Sequence, residues 1–570
     1  VFERLNSKSA IDHSTVARVS VTRTGVKIGV NKPFYRAMFE HSSDLVIPFE
    51  GDVDTLLHAV LERGLFVKTA GGFSHRPAPM AGASFEPFLA AYRDVACATA
   101  RLNDEAFLAT RPSRLRKVYA LAQSRNRTDW FDIGKEAVTS GFVKVEKTKQ
   151  ACGNIFSGGE TKIPVPRLIN PRSTRFNAKL GMYTLACEHT IYKNIGEMFG
   201  KPCIAKGMNM AARASNLRDQ WTSMEDPVGL SMDASRFDQH TGKLPFEFEH
   251  ALLRLHFPGD KLLKWLQRVQ LHNLMYGRMP DGKVMAELLD MRMSGDMNTA
   301  LGNCVITAAL IWLRLQLLNV NAYAMVDGDD SVLIMERRDY AKYKEGAHEF
   351  FLQFGYNMEI EAPVDVFEQI DFCQTSPVWV GDHWRMVRNP RKALNNDYAG
   401  YQKCADIGYV KSLFYSIGSA GLSLCSGVPV IRRSMSGACA KGPRPARVSS
   451  WRCSFMAGIT WPRWRARRRA APLQRSCACH FRLHFTFLRP RKWHSSRNLL
   501  LSSLIGGCSR PRVKTKKYYH IVRCPSHRNQ FEGSPTTPSQ TTLYSLYDAY
   551  EDYYRDLRKE RSVSDHYDPC

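Results

Sequence analysis

The chain has 570 residues, 44% of them hydrophobic and 24% charged, a balance that excludes wholesale disorder and allows a large core, as three to four domains or one multi-lobed enzyme. Its net charge of +26 lies far from the usual range and points to a polyanionic partner, nucleic acid ahead of an anionic membrane surface. The 15 cysteines are scattered without paired spacing, which excludes a disulfide framework and fits thiols of a reducing compartment.

The opening residue is Val1 rather than Met, which predicts a fragment, a processed product or part of a longer translation product, and no signal peptide is read there. Residues 1–140 alternate short apolar patches with breaks such as Ala70-Gly-Gly72 and Arg76-Pro-Ala-Pro79. Residues 85–108 carry Phe88, Leu89, Tyr92, Val95, Ala96 and Ala100 at helical spacing, the stripe of a core-packing helix. Arg111, Arg114, Arg116 and Lys117 form a basic cluster that reads as a solvated helix face ahead of a binding surface. Residues 142–147 alternate as a strand, Val143 and Val145 on one face, Lys144 and Glu146 on the other.

The stretch from Lys162 to Lys179 holds three prolines, which forbid a regular helix and fix the backbone, and five basic residues. A rigid arm bearing Arg167, Arg172 and Arg175 suits triphosphate oxygens, because guanidinium forks match them; a plain basic surface loop is the equal alternative. An apolar run beginning at Val228 then ends at Asp233, and Asp238 follows after Ala-Ser-Arg-Phe. A strand delivering Asp233, followed by a turn into a helix, brings both carboxylates near one site, although Asp at a strand end is also a common helix N-cap. Met293-Ser-Gly-Asp-Met-Asn-Thr-Ala-Leu-Gly-Asn303 reads as a Ser-Gly hinge and a helix on which Thr299 and Asn303 share a face, in solvent or at a site. The apolar run 304–320, interrupted by Arg314, reads as core, too short and too polar to span a bilayer. Two further apolar runs flank Asp327-Gly-Asp-Asp330, the pattern of a β-hairpin with an acidic tip. Such a tip is either a solvated turn or a site for a hard divalent cation.

Asp-x4-Asp, Ser-Gly-x3-Thr-x3-Asn and Gly-Asp-Asp follow one another at intervals of about 60 and 30 residues. In that order they resemble palm motifs A, B and C of viral RNA-dependent RNA polymerases. With Pro166-Arg-Leu-Ile-Asn-Pro-Arg172 upstream and Phe372-Cys-Gln-Thr375 downstream, the wording is similar to the tombusvirus family and its relatives over about 142–429. The resemblance implies an α+β right-hand polymerase fold, with an antiparallel palm sheet backed by helices. It divides the chain into an amino-terminal, finger-side region (1–141), fingers with the basic arm (142–225), palm (226–376), thumb (377–531) and a polar tail (532–570). It implies that Asp233 and Asp329, supported by Asp330, hold two Mg²⁺ ions (or Mn²⁺) for nucleotidyl transfer. It implies that Asp238, Thr299 and Asn303 read the ribose 2′-hydroxyl. Ser294 and Gly295 then shape the loop beside the nascent pair, and Arg167, Arg172 and Arg175 grip the triphosphate. The implied partners are an RNA template, the nascent strand, ribonucleoside triphosphates and viral or host replication proteins. The implied location is the host cytoplasm, at membrane-associated replication complexes reached through partners and without a transmembrane segment of its own. One departure stands out: residues 354–361, where related polymerases often carry a lysine to protonate pyrophosphate, have none, and Lys344 is not assigned that role.

Between Asp406 and Glu532 there is no acidic residue but about 25 Lys and Arg, so this stretch carries nearly all of the net charge. Within it, 431–498 loses periodicity as well, as in Trp461-Pro-Arg-Trp-Arg-Ala-Arg-Arg-Arg469. It reads either as a basic thumb tracking RNA phosphates or as sequence out of frame, and the composition favours the second. Cys477-Ala-Cys479-His480 lacks a second pair at finger spacing, so no zinc site is expected. The rival to an RNA polymerase is a catalytically idle RNA-binding replication scaffold, against which the intact Asp233, Asp329 and Asp330 argue. A reverse transcriptase is weaker, because Asn303 favours ribonucleotides.

Overall fold

The computed structural model describes residues 17–25, 35–36, 45–47, 51–69, 72–146, 148–150, 165–390, 393, 397, 399–400, 407–425, 428–440 and 517–522. The Trp461–Arg469 run, the cluster at Cys477, Cys479 and His480, and the polar tail lie outside the described residues. The fold is a mixture of helices and mainly antiparallel sheets.

The central sheet has four strands in the order Ala322–Asp327, Asp330–Glu336, Pro227–Ala234, Met358–Ile360, each antiparallel to its neighbour. It is covered on both faces, which is why Val332 through Met335 can be apolar without a break. The two-residue period of a strand divides that run. Leu333 and Met335 join the cluster built on the helix Thr299–Leu318, while Val332 and Ile334 join one with Ala214, Leu217 and Trp221 of the helix Met210–Thr222. A second, five-stranded sheet pairs Ala17–Arg23 with Lys517–Val522 and with Gly282–Leu289. It continues through His272–Met279 to Thr139–Ser140, the last pair being parallel.

Thr299–Leu318 is the axis of the molecule. Val305, Ile306 and the run Ala308 to Ile311 are fully buried, and each large side chain there contributes about 1.5–3 kcal/mol. The run 304–320, expected as core, lies mostly in this helix and is core; the helix Thr299–Leu318 as a whole is long and apolar enough to cross a membrane by length and composition only, and 78% of its most apolar window is buried inside the protein. Arg314 fits because its guanidinium donates to the carbonyls of Tyr343, Glu345 and Gly346. That caps the C-terminal end of the helix Arg337–Lys344 with the charge its dipole favours.

Two local expectations change. Residues 85–108 do not form one helix but two, Glu86–Arg93 and Asp104–Thr110. Phe88, Leu89 and Tyr92 are core as expected, but Ala100 is exposed, because Asn103 caps the second helix and ends any continuation of the first. Among the described residues 142–146 only Phe142–Val143 is strand; Lys144 and Glu146 pair at 2.7 Å, and Val145 is exposed.

Candidate active site

The strand Pro227–Ala234 delivers Asp233 near its end, and the chain turns through Arg236, in the left-handed region at φ 54°, into the short helix Phe237–His240. The expected strand, turn and helix are all present. Asp233 lies in register opposite Asp330 on one neighbour and opposite Glu359 on the other. Cross-strand partners project side chains to the same face, so Asp233, Asp330 and Glu359, from three strands, share one face of the sheet. Asp329 joins them from the hairpin tip, a two-residue turn in which Gly328 takes φ +87°, the positive value the first loop position of such a hairpin demands.

The tip is held from behind by the axial helix. Thr307 Oγ1 donates to the Gly328 carbonyl at 2.8 Å, and the Gly328 N–H donates to Cys304 Sγ at 3.2 Å. Both backbone groups of the turn glycine are thus satisfied by one helix face, leaving Asp329 exposed to solvent.

The carboxylates differ in electrostatic state. Burial and the charges of Asp329, Asp233 and Asp327 push Asp330 up to about 6. Asp233 is also raised, by burial and then by Asp329 and Glu359, with Arg167 pulling the other way. Burial would raise Asp327 too, but Lys206 and Arg213 (the latter at 2.5 Å) hold it below the ordinary carboxylate range. Asp327 is therefore committed to an ion pair, whereas Asp233 and Asp330 repel each other.

The cluster fits the chemistry of a hard divalent ion. Among the described residues no group of three or more His, Cys, Asp or Glu side chains stands close enough together to hold a metal ion by itself. Mg²⁺ needs no such group, since it keeps waters and takes one or two carboxylates plus substrate phosphates.

Asn303 donates to Asp238 Oδ1 at 3.0 Å, and Thr299 Oγ1 donates to the Met293 carbonyl at 3.0 Å, so two of the three expected ribose readers are in contact and the third stands one helical turn away. Burial raises the Asp238 carboxyl, opposed by the Asn303 hydrogen bond and the charge of Arg292. A cavity of about 430 Å³ opens between Thr299, Asn303, Asp329, Asn177, Lys206 and Arg111. Arg111 thus lines the cavity rather than a solvated helix face, while Arg114, Arg116 and Lys117 are exposed as expected.

Ser294 and Gly295 dock on the Pro-rich arm. The Ser294 hydroxyl accepts from the Asn170 N–H at 3.2 Å, and a Cβ on Gly295 would stand 2.4 Å from Pro171 Cα. The arm itself separates into two parts. Arg167 is exposed, and its charge reaches Asp233 and Asp238. Arg172 is buried, donating to Asp296 at 3.0 Å, to the Ala137 carbonyl at 2.7 Å and to Asn273. Arg175 is tied to Glu136 at 2.7 Å and to Asn126 and three backbone carbonyls. The three arginines expected to act together are thus placed apart: Arg167 pairs with Glu146 at 3.5 Å on the exposed side, while Arg172 and Arg175 fasten the arm to the loop and to the helix Ser113–Thr128.

Lys206, Arg213 and Glu359 were not legible as site residues. Glu359 had a signal, the alternation Met358-Glu359-Ile360; Lys206 had none, since it reaches the hairpin through the bridge of Ile204 to Val326.

Compared with known proteins, residues 20–471 match the family model described as viral RNA-dependent RNA polymerase, a span that runs past 431 into the basic segment. The chain is 33% identical over 382 residues to the RNA-directed RNA polymerase of Tobacco necrosis virus (strain A), covering 67% of this chain and 52% of the relative. It is 36% identical over 404 residues to that of Oat chlorotic stunt virus, 68% of this chain and 52% of the relative. With the enzyme of Cymbidium ringspot virus the identity is 30% over 437 residues, 76% and 52%. The chain spans about half the length of these curated relatives.

Proposed function

The chain belongs to the viral RNA-dependent RNA polymerase family, and on that premise we propose that it extends an RNA 3′ end on an RNA template, consuming ribonucleoside triphosphates and releasing pyrophosphate. The observation that carries the reading is the register of Asp233 against Asp330, on one face of the sheet, with Asp329 at the adjoining tip.

In this reading the four-stranded sheet is the palm, the arm and helices before it are the fingers, and the helices after 377 begin the thumb. Members of the family use divalent metal ions, and Asp233, Asp329 and Asp330 are the residues that would hold them here. When bound, a pair of such ions activates the attacking 3′-hydroxyl and neutralises the departing pyrophosphate. The protein's own part is positional. The axial helix holds the tip through Gly328, Asp238 and Asn303 take the ribose 2′-hydroxyl with Thr299 beside them, and Arg167 offers the arm's accessible cation to the incoming phosphates. In the reaction the 3′-oxygen forms a bond to the α-phosphorus as the bond to the β-phosphate bridge breaks.

The test is incorporation of labelled ribonucleotides on an RNA template with Mg²⁺, beside Asp329→Asn. The reading predicts synthesis by the wild type and a loss of at least about 10³-fold in the variant, the scale of losing an electrostatic anchor of the transition state. Equal synthesis by both rejects the site. Silence in both with RNA binding retained favours the scaffold.

A further inference from the structure

Beneath the ribose-reading residues lies a buried ion pair to which that function has assigned nothing. Arg292 is 1% exposed and Glu249 3%. One guanidinium nitrogen, Nη2, pairs with Glu249, and the face of the group rests on the Phe246 ring with its carbon 4.9 Å from the centroid. Nε and Nη1 are buried without a hydrogen-bond partner among the described residues, so Glu249 engages only part of the cation.

This pair meets Asp238 directly and reaches Thr299 and Asn303 through neighbouring residues. The Arg292 backbone N–H donates to the Asp238 carbonyl at 3.2 Å, and the next residue, Met293, supplies the carbonyl that receives the Thr299 hydroxyl. Glu249 accepts from Asn298 Nδ2 at 2.6 Å at the start of the axial helix. It also fills the space against Gly302, where a Cβ would stand 2.3 Å from Glu249 Oε2, so the turn carrying Asn303 is seated directly on it.

We propose that Arg292, through its charge and its contact with the Asp238 backbone, is the positioning residue for ribose selection, holding the Asp238 carboxylate aimed at Asn303 and the sugar; this rests on the assignment of Asp238, Thr299 and Asn303 as ribose readers. The charge of Arg292 opposes the burial that would neutralise Asp238, and Asp238 in turn stabilises the guanidinium. Without the cation, only the Asn303 hydrogen bond and the charge of Arg167 favour the ionised form of Asp238 against its burial, and the hydrogen bond that measures the 2′-hydroxyl weakens. A residue that merely filled space would matter through packing, equally whichever half of the pair is altered.

The experiment compares kcat/KM for ATP and 2′-deoxy-ATP in single-nucleotide incorporation by the wild type, Glu249→Gln, the double Glu249→Gln/Arg292→Gln and Asp238→Asn, with thermal unfolding as the check of folding. Glu249→Gln keeps the cation and is expected to hold the ribose preference within about threefold; the double variant is expected to lower it by about tenfold or more, as a site built to bond a hydroxyl loses its aim. Where the double variant lacks a wild-type-like melt, Glu249→Gln/Arg292→Lys replaces it and is expected to retain the preference within about threefold, because the charge remains. An unchanged preference in the folded double variant, with Asp238→Asn lowering it, overturns the inference alone. So does an equal fall in Glu249→Gln and the double, or a fall in the lysine variant as large as that of Asp238→Asn. If Asp238→Asn leaves the preference intact, the ribose assignment fails and the inference falls with it.

Discussion

Asp327 and Asp330 are cross-strand partners on one hairpin, of one residue type, and they stand in opposite electrostatic states. Asp327 is gripped by Lys206 and Arg213 and held below the ordinary carboxylate range, whereas Asp330 faces Asp329 and Asp233 and rises to about 6. One end of the turn is finished as structure; the other is left short of positive charge. In the function proposed above, this is how the fold prepares for a cation: it anchors the element with one saturated ion pair and leaves the neighbouring carboxylates to repel until a cation arrives.

The largest expected effect comes from breaking the finished half. Lys206→Met with Arg213→Met leaves Asp327 nearly buried and unpaired, and should cost about 3–5 kcal/mol in chemical denaturation. Adding Asp327→Asn should recover most of that, because the orphaned charge is then gone; no recovery would mean that the two cations act elsewhere. A smaller loss is expected in the loop that faces the hairpin across the cavity. Gly295→Ala drives a methyl into the backbone of Pro171 and should cost about 1–3 kcal/mol, measurable by thermal unfolding, with incorporation falling alongside. The smallest effect has the opposite sign. Asp330→Asn removes repulsion and should stabilise the metal-free protein by about 1 kcal/mol near neutral pH while lowering synthesis. The pH window follows from the raised value. A carboxyl at about 6 when folded, above its unfolded value near 3.9, favours the protonated folded form, so ionising it costs stability as pH rises from about 4 to about 6. Metal-free wild type should lose stability across that window, and Asp330→Asn should lose less.

The hairpin, the strand ending in Asp233 and the hinge before the axial helix were legible because each rests on local chemistry: apolar runs bounded by Asp-Gly, an apolar run closed by Asp, a Ser-Gly break before helical periodicity. The partners of those residues were not legible. Lys206 and Arg213 lie more than a hundred residues from Asp327 in the chain, and nothing in their neighbourhood marks them as its counter-charges. The arm shows the same limit. Prolines at 164, 166 and 171 announce a rigid backbone, but not that Arg172 turns inward to Asp296 while Arg167 stays outside. Periodicity also overran a break: Phe88, Leu89 and Tyr92 continue in phase to Val95 and Ala96, yet the helix stops at Arg93, before a new N-cap at Asn103.

Asp233, Asp329 and Asp330 are proposed to bind divalent cations, and Asp327 is not. The most direct measurement is the thermal midpoint with and without Mg²⁺ at pH 7.5, for the wild type and for Asp233→Asn/Asp329→Asn. Millimolar Mg²⁺ is expected to raise the wild-type midpoint by about 2–4 °C and to leave the double variant unmoved, since an ion that binds only the folded carboxylate cluster stabilises by mass action. An equal rise in both proteins would place the ion elsewhere and contradict the assignment of Asp233, Asp329 and Asp330.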